Sequence, residues 1–226
     1  MQFAIVTFLC AAITAASPDL EKARDRQDRA ELERIAQTYA SAAQSKPGDP
    51  DALYRLAVAQ SYLAEVAIEV HDKLQANRAA ETGIHAAEKA VELKKNDAEY
   101  VRILGTLCGQ AISGNGMAAL KWGKCALTSV NQAVTLDPKS SANYLSRGVG
   151  NYYLPPAFGG GIDLAIRDFQ KAVDLDHKSA DAYLWLGVAL RKANRLPEAH
   201  KALAKAVELN PDRLWAKQQL DKTPAQ

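Results

Sequence analysis

The stretch NYYLPPAFGGGIDLAIRDFQKAV, residues 151–173, holds the residue types that come nearest to a chemical site in this chain. Tyr152 and Tyr153 precede Pro155 and Pro156, three glycines follow at 159–161, and the next helical pattern carries Asp163 and Asp168. A glycine run that opens a helix can offer backbone N–H groups to an anion, with the helix dipole adding positive potential. Here no strand pattern precedes the run, and no Lys or Arg follows until Arg167. The other role is mechanical. Pro155 and Pro156 end one helix, since neither donates a backbone hydrogen bond, and the glycines turn the chain with positive φ before the next. A joint between two helices is the expected role, and an anion cradle is the alternative.

Other apparent motifs fail on their neighbours. Gly123-Lys124-Cys125 has the end of a phosphate loop, but Ala118 stands where its first glycine belongs and Cys125 where Ser or Thr belongs. Gly114-Asn115-Gly116 has the glycines of a dinucleotide turn, yet lies between helical patterns. His71, His85, His177 and His200 are scattered without companions at metal-ligand spacing, and Glu69-Val70-His71-Asp72 lacks a second ligand set. No Ser, Thr or Cys sits in a nucleophile setting. The sequence therefore predicts no catalytic residue, no metal site and no cofactor.

Composition narrows the fold. Of 226 residues, 48% are hydrophobic, many of them alanine, and only 7% are aromatic, which suits closely packed helices over β-branched sheet. Twenty-eight Lys and Arg against 26 Asp and Glu are interspersed without a basic stripe, which argues against nucleic acid as the main partner. Phe3 to Ala16 form a short apolar run ending in Thr14-Ala15-Ala16, the pattern of a secretory signal, residues 1–16, cut before Ser17, although no Lys or Arg precedes the run. The alternative is a buried or membrane-associated N-terminal helix. Export predicts a periplasmic or secreted mature chain, 17–226, with no stable membrane span. It would also permit a bridge between Cys108 and Cys125 across the Ser113–Gly116 turn. Two packed thiols are the expectation, with the bridge as the alternative.

The elements that would position any site are helical and repeated. In SADAYLWLGVALRKANRLPEAHKALAKAVELNPD, Tyr183, Leu186, Gly187 and Leu190 follow one helical face; Ala199, Leu203 and Ala206 follow another after the break at 194–197. Small residues at Gly187, Ala199 and Ala206 let two helices approach closely. This pattern resembles the tetratricopeptide repeat, with Tyr183 in place of the usual Trp and Leu203 in place of Phe. Ala172, Ala133 and Ala90 take the role of Ala206 in earlier copies, and Gly148, Gly105 and Ala57 that of Gly187. The prediction is an all-α solenoid with a leading helix over 20–44 and helix pairs over about 51–95, 97–137, 141–176 and 179–210. A capping helix follows over 212–220. The repeat lengthens toward the N-terminus, from 34 residues between Ala172 and Ala206 to 43 between Ala90 and Ala133, so the hairpins should grow taller there. The alternating charges of residues 21–34 are expected to solvate the leading helix, or else to form a docking arm.

What the tetratricopeptide resemblance implies is protein binding on a concave face built from the first helix of each pair. Its positions here are Tyr54, Val58, Ser61 and Tyr62; Arg102, Thr106 and Gln110; Leu145, Val149, Tyr152 and Tyr153; and Leu184, Val188, Arg191 and Lys192. Tyr152 and Tyr153 could equally fold into the core. The implied partner is a protein or peptide segment, with Arg102, Arg191 and Lys192 favouring an acidic one and self-association as a further option. The Asn and Lys set with which chaperone-binding members grip a C-terminal carboxylate is missing. A narrower resemblance, over about residues 97–177, is to the tetratricopeptide component of tripartite periplasmic solute transporters. It would imply an oligomer that passes small organic solutes.

Overall fold

A computed structural model describes residues 17–112 and 117–225. The expected signal, 1–16, and the turn at 113–116 lie outside the described residues. Eleven helices and no strand occur among those described: α1 Pro18–Asp25, α2 Arg29–Ser45, α3 Pro50–Glu69, α4 Lys73–Leu93, α5 Ala98–Ile112, α6 Ala118–Leu136, α7 Ser141–Tyr153, α8 Ile162–Leu175, α9 Ala180–Lys192, α10 Leu196–Leu209 and α11 Leu214–Asp221. No helix among them is long and apolar enough to cross a membrane.

Local chemistry sets the starts. Asp28, Asp49, Asp72, Ser140 and Ser179 each accept a backbone N–H from the first turn of the helix they precede, and Pro50 occupies a first-turn position where no N–H is needed. Three tight turns share one device. Gln27, His71 and Asn194 adopt φ of 53°, 65° and 59°, and the residue after each donates its N–H to the carbonyl five positions back, at 2.8, 2.8 and 2.9 Å. The expected leading helix is thus broken at Gln27. Asp28 caps α2, so α1 and α2 form a short hairpin of the same kind as α3–α4 and α9–α10.

Hairpin height tapers as the repeat lengths predict. The α3 and α4 helices have 20 and 21 residues, and α9 and α10 have 13 and 14, a difference of about two turns. Each first helix packs on its own second helix, and α3, α5, α7 and α9 also touch in succession as an inner layer. Close approach explains the small residues. A Cβ on Gly187 would lie 2.5 Å from Leu203, and one on Gly148 would lie 2.6 Å from Phe169. One apolar core spans α1 to α6, with Leu20, Leu32, Tyr54, Ile84 and Leu107 fully enclosed. Smaller cores centred on Phe169 and Leu203 serve the C-terminal half. Asn143 ties the α6–α7 seam, donating to the carbonyls of Ala133 and Asp137 at 2.9 and 3.0 Å. Cys108 and Cys125 are joined by a disulfide between α5 and α6, S–S 2.01 Å, which replaces the expected pair of free thiols. The facing positions of two adjacent helices bring their Cα atoms to 6.0 Å, within bridging reach.

Candidate functional site

The 151–173 stretch is a joint. Leu154 ends α7, Pro156–Phe158 form a single 3-10 turn, and Gly159 and Gly161 adopt φ of 85° and 120°. Its backbone donors are consumed internally. Phe158 N and Gly160 N donate to Pro155, Gly159 N to Pro156, and Gly161 N to Asn151 at 2.9 Å. A cradle built on the glycine loop needs those N–H groups free, and residues 158–161 have spent theirs within the joint. Asp168 is buried and pins α7 to α8: Arg147 donates to both its oxygens, at 2.9 and 2.6 Å, and Asn151 adds a third bond at 2.9 Å.

The positions predicted to line the concave face separate into three groups. Tyr54, Val58, Leu184 and Val188 are interior residues, at most 5% exposed, which corrects their expected place on the groove wall. Tyr54 stacks on Tyr100 and donates to Glu99 at 2.7 Å; α11 lies over α9 and encloses Leu184 and Val188 with Ala216. A second group is engaged along the inner layer. Arg102 grips Glu99 at 2.7 and 2.5 Å and reaches Ser146 at 3.1 Å, where Thr106 also donates. Burial pushes the Glu99 carboxyl up, but Arg102 outweighs it and holds the group below the usual carboxylate range. Ser61 and Gln110 exchange hydrogen bonds at 3.1 Å, and Leu145 and Val149 pack half-buried on the Phe169 core. Arg191 clasps the C-terminal segment through Gln219 and Thr223, while Lys192 donates to the Tyr152 carbonyl. These cations already have partners inside the chain, so they do not form the free basic wall expected for an acidic segment.

The third group is aromatic and partly open. Tyr152, Tyr153 and Trp215 all approach Trp185, with ring centroids 5.8, 6.3 and 5.2 Å away. Tyr153 is 60% exposed at the end of α7, and Phe158 on the following loop is 72% exposed. Lys192 sits over the Tyr152 ring at 4.1 Å.

Beside this aromatic shelf lies an ionic cluster absent from the predicted positions. Arg213, from the α10–α11 connection, has a side chain only 1% exposed and donates to Glu65 at 2.8 Å and to Glu69. Its Nε lies 3.8 Å from both Asp25 and Asp181. Arg24 of α1 bonds Asp25 and, at 2.8 Å, Asp181 at the start of α9, and it covers the Tyr62 ring at 4.8 Å. Asn210 donates to Asp25 at 2.7 Å, and Gln27 to Glu69 at 2.9 Å. Burial pushes the Glu65 carboxyl up to about 7, against the opposing pull of Arg213 and Arg24. It pushes the Tyr62 hydroxyl up to about 12. For Asp181 the two arginines prevail over burial, and its pKa is lowered.

Helix α1 and the α10–α11 connection thus meet on α3 and α9. Arg24 and Asp25 fall within the charged run expected to be solvated. Helical phase alone could have shown that Arg24 follows the buried Leu20–Ala23 side of α1; nothing in the sequence pairs it with Asp181. Elsewhere, an open cavity of about 380 Å³ lies between α2, α3 and α4, crossed by an Arg29–Asp72 pair at 2.9 Å. Among the described residues no group of three or more His, Cys, Asp or Glu is placed to hold a metal.

The family model described as regulator of microtubule dynamics protein 1-3 matches residues 19–154, and a tetratricopeptide repeat model matches 160–220. Their boundary falls at the Pro-Pro-Gly joint. No curated protein matches the chain. A thermophilic tetratricopeptide repeat protein of Thermus thermophilus is similar in structure, with a TM-score of 0.61 and 17% identity over 89% of this chain and 98% of that one. YrrB, a repeat protein with an unusual peptide-binding site, aligns at 22% identity and TM-score 0.44 over 91% of each chain. MamA of Desulfovibrio magneticus aligns at 17% and 0.44, over 88% of this chain and 99% of that one. The all-α tetratricopeptide solenoid is the fold of this chain. Neither family model is the transporter component.

Proposed function

The chain belongs over residues 19–154 to the regulator of microtubule dynamics protein 1-3 family and continues as a tetratricopeptide repeat over 160–220; from that premise we propose that it is a non-enzymatic scaffold that binds another protein on its inner face. The observation that carries the reading is the aromatic shelf. Tyr153 stands 60% exposed against Trp185, beside Tyr152 and Trp215, which meet the same ring edge-on and at a tilt. Aromatic rings combine apolar area with few rotatable bonds, and a rigid scaffold presents them with little entropy left to lose on binding. The microtubule role belongs to the proteins that gave the family its description.

Of the predicted lining, Tyr152 and Tyr153 keep a place at the surface, Tyr62 lies beneath Arg24, and Arg102, Arg191 and Lys192 bond within the chain. Export of the mature chain is part of the same proposal. The Cys108–Cys125 bridge supports it, since an oxidising compartment sustains such a bond. Two measurements test the reading. Capture from the native host with the tagged full chain should yield a stoichiometric companion that is lost on Tyr153→Asp and kept on Lys171→Asp, an exposed site on α8. Retention by the Tyr153 variant would remove the shelf from the binding surface. The intact mass of the mature chain should begin at Ser17; a mass that includes residues 1–16 would end the export proposal.

A further inference from the structure

Arg213 occupies a seat whose walls come from other elements: Asp25 from α1, Glu65 and Glu69 from α3, and Asp181 from the start of α9. Those four carboxylates face two guanidiniums, Arg213 and Arg24, so the seat carries an excess of negative charge. The lining suits a planar cation. Tyr62 already lies under one guanidinium at 4.8 Å, and Trp215 lies 5.8 Å from the other. The fit of the resident arginine is imperfect at one atom: its buried Nε has no hydrogen-bond partner, and Asp25 and Asp181 stand 3.8 Å from that nitrogen, although the two terminal nitrogens bond Glu65 and Glu69. A buried donor left unpaired is costly, and the short Asn210–Arg213 connection after α10 restricts how the side chain can approach.

Resting on the reading of the inner face as a protein-binding surface, we propose that this seat recognises an arginine-bearing basic segment of a partner, and that Arg213 fills it in cis until such a segment displaces it. Carboxylates in pairs select the guanidinium fork over the point charge of lysine. The cis occupant acts at high effective concentration, so a lone arginine in trans cannot compete; the partner needs a second foothold, which the shelf at Tyr153 and Trp185 supplies. The arrangement filters partners. Weak basic peptides are excluded, and a segment offering both arginine and an apolar anchor is admitted.

The test uses the full chain and a fluorescein-labelled peptide of its own residues 210–222, NPDRLWAKQQLDK, as the probe. Arg213→Gln should bind the peptide at least tenfold more tightly than the unsubstituted chain. A peptide with lysine in place of its arginine should bind the variant at least tenfold more weakly. A folded variant that binds no better than the unsubstituted chain, or that accepts the lysine peptide equally, would overturn the proposal. Should the variant not fold, hydrogen exchange of the unsubstituted chain decides. The 210–222 peptide in excess, which carries leucine and tryptophan beside its arginine, should accelerate exchange across 213–223 and its lysine version should not, and unchanged exchange with both would overturn the seat. If displacement fails while partner capture still depends on Tyr153, the arginine seat alone falls; if capture is also indifferent to Tyr153, the inner-face reading falls with it.

Discussion

Two stretches of the same inner face have opposite character. At the seat, charges from α1, α3, α9 and the α10–α11 connection converge, and Arg213 is sealed to 1% exposure. At the shelf, built on α7 and α9, apolar rings meet edge to face and Tyr153 stays 60% exposed. The repeat geometry is common to both. What differs is the lining: α1, α3 and the start of α9 bring carboxylates to Arg213, whereas α7 and α11 bring aromatic rings to Trp185 of α9. Closure is made by ions rather than by apolar side chains, and ion pairs taken out of water add little net stability while demanding one arrangement. The seat therefore specifies the closed form, and the apolar cores hold the helices together.

The largest expected effect tests that division. Arg213→Ala leaves buried carboxylates uncompensated, and urea unfolding should show a loss of about 3–5 kcal/mol. A change below 1 kcal/mol would mean that water already serves those groups. Next is the disulfide, which lies outside both stretches and should act on stability alone. The bonded cysteines are 17 residues apart, so Cys108→Ala with Cys125→Ala should lose about 3 kcal/mol while partner capture persists. Gly148→Val strikes the packing under the shelf. Its Cβ would lie 2.6 Å from Phe169, and overpacking should cost about 1–3 kcal/mol with a loss of capture, because the aromatic set shifts.

A smaller effect separates the stretches by pH. The folded Glu65 carboxyl is pushed by burial to about 7, from 4.5. It therefore holds its proton over a range where the unfolded chain has released it. That contribution is complete below pH 4.5 and lost as pH rises toward 7. Glu65→Gln should remove this decline from the melting temperature between pH 5 and 7. An unaltered profile would show that Arg213 keeps the carboxylate ionised throughout. Smallest is Tyr153→Ala, for which thermal unfolding should change by less than about 1 kcal/mol, as for other exposed positions. Partner binding, in contrast, should suffer most there.

Much of the scaffold is legible in local sequence. Gly148 and Gly187 announce close helix contacts because nothing larger fits against Phe169 or Leu203. Asp49, Asp72 and Ser179 announce helix starts because their side chains reach the first-turn N–H groups. The break in the leading helix is marked more faintly. Asp28 is a good capping residue, yet the left-handed Gln27 before it looks like any helical glutamine. Groove positions were only half legible. Helical phase places Tyr54, Val58, Leu184 and Val188 on the right helices, but which inner positions stay open depends on what crosses over them. In this chain α11 covers Leu184 and Val188. The Cys108–Cys125 bond belongs to the same class, since two cysteines on adjacent helices pair only if their Cβ vectors converge.

By itself the sequence determined the helices, their pairing and their declining height, because each follows from contacts within one repeat or between neighbours. Capping, 3.6-residue periodicity and small-residue spacing are properties of some 40 consecutive residues. Tertiary structure alone decided that Arg24 would meet Asp181 and that Arg213 would be enclosed by Glu65 and Glu69. Those partners lie 157, 148 and 144 positions apart. Small rotations between successive pairs accumulate over such distances, and no local pattern records their sum.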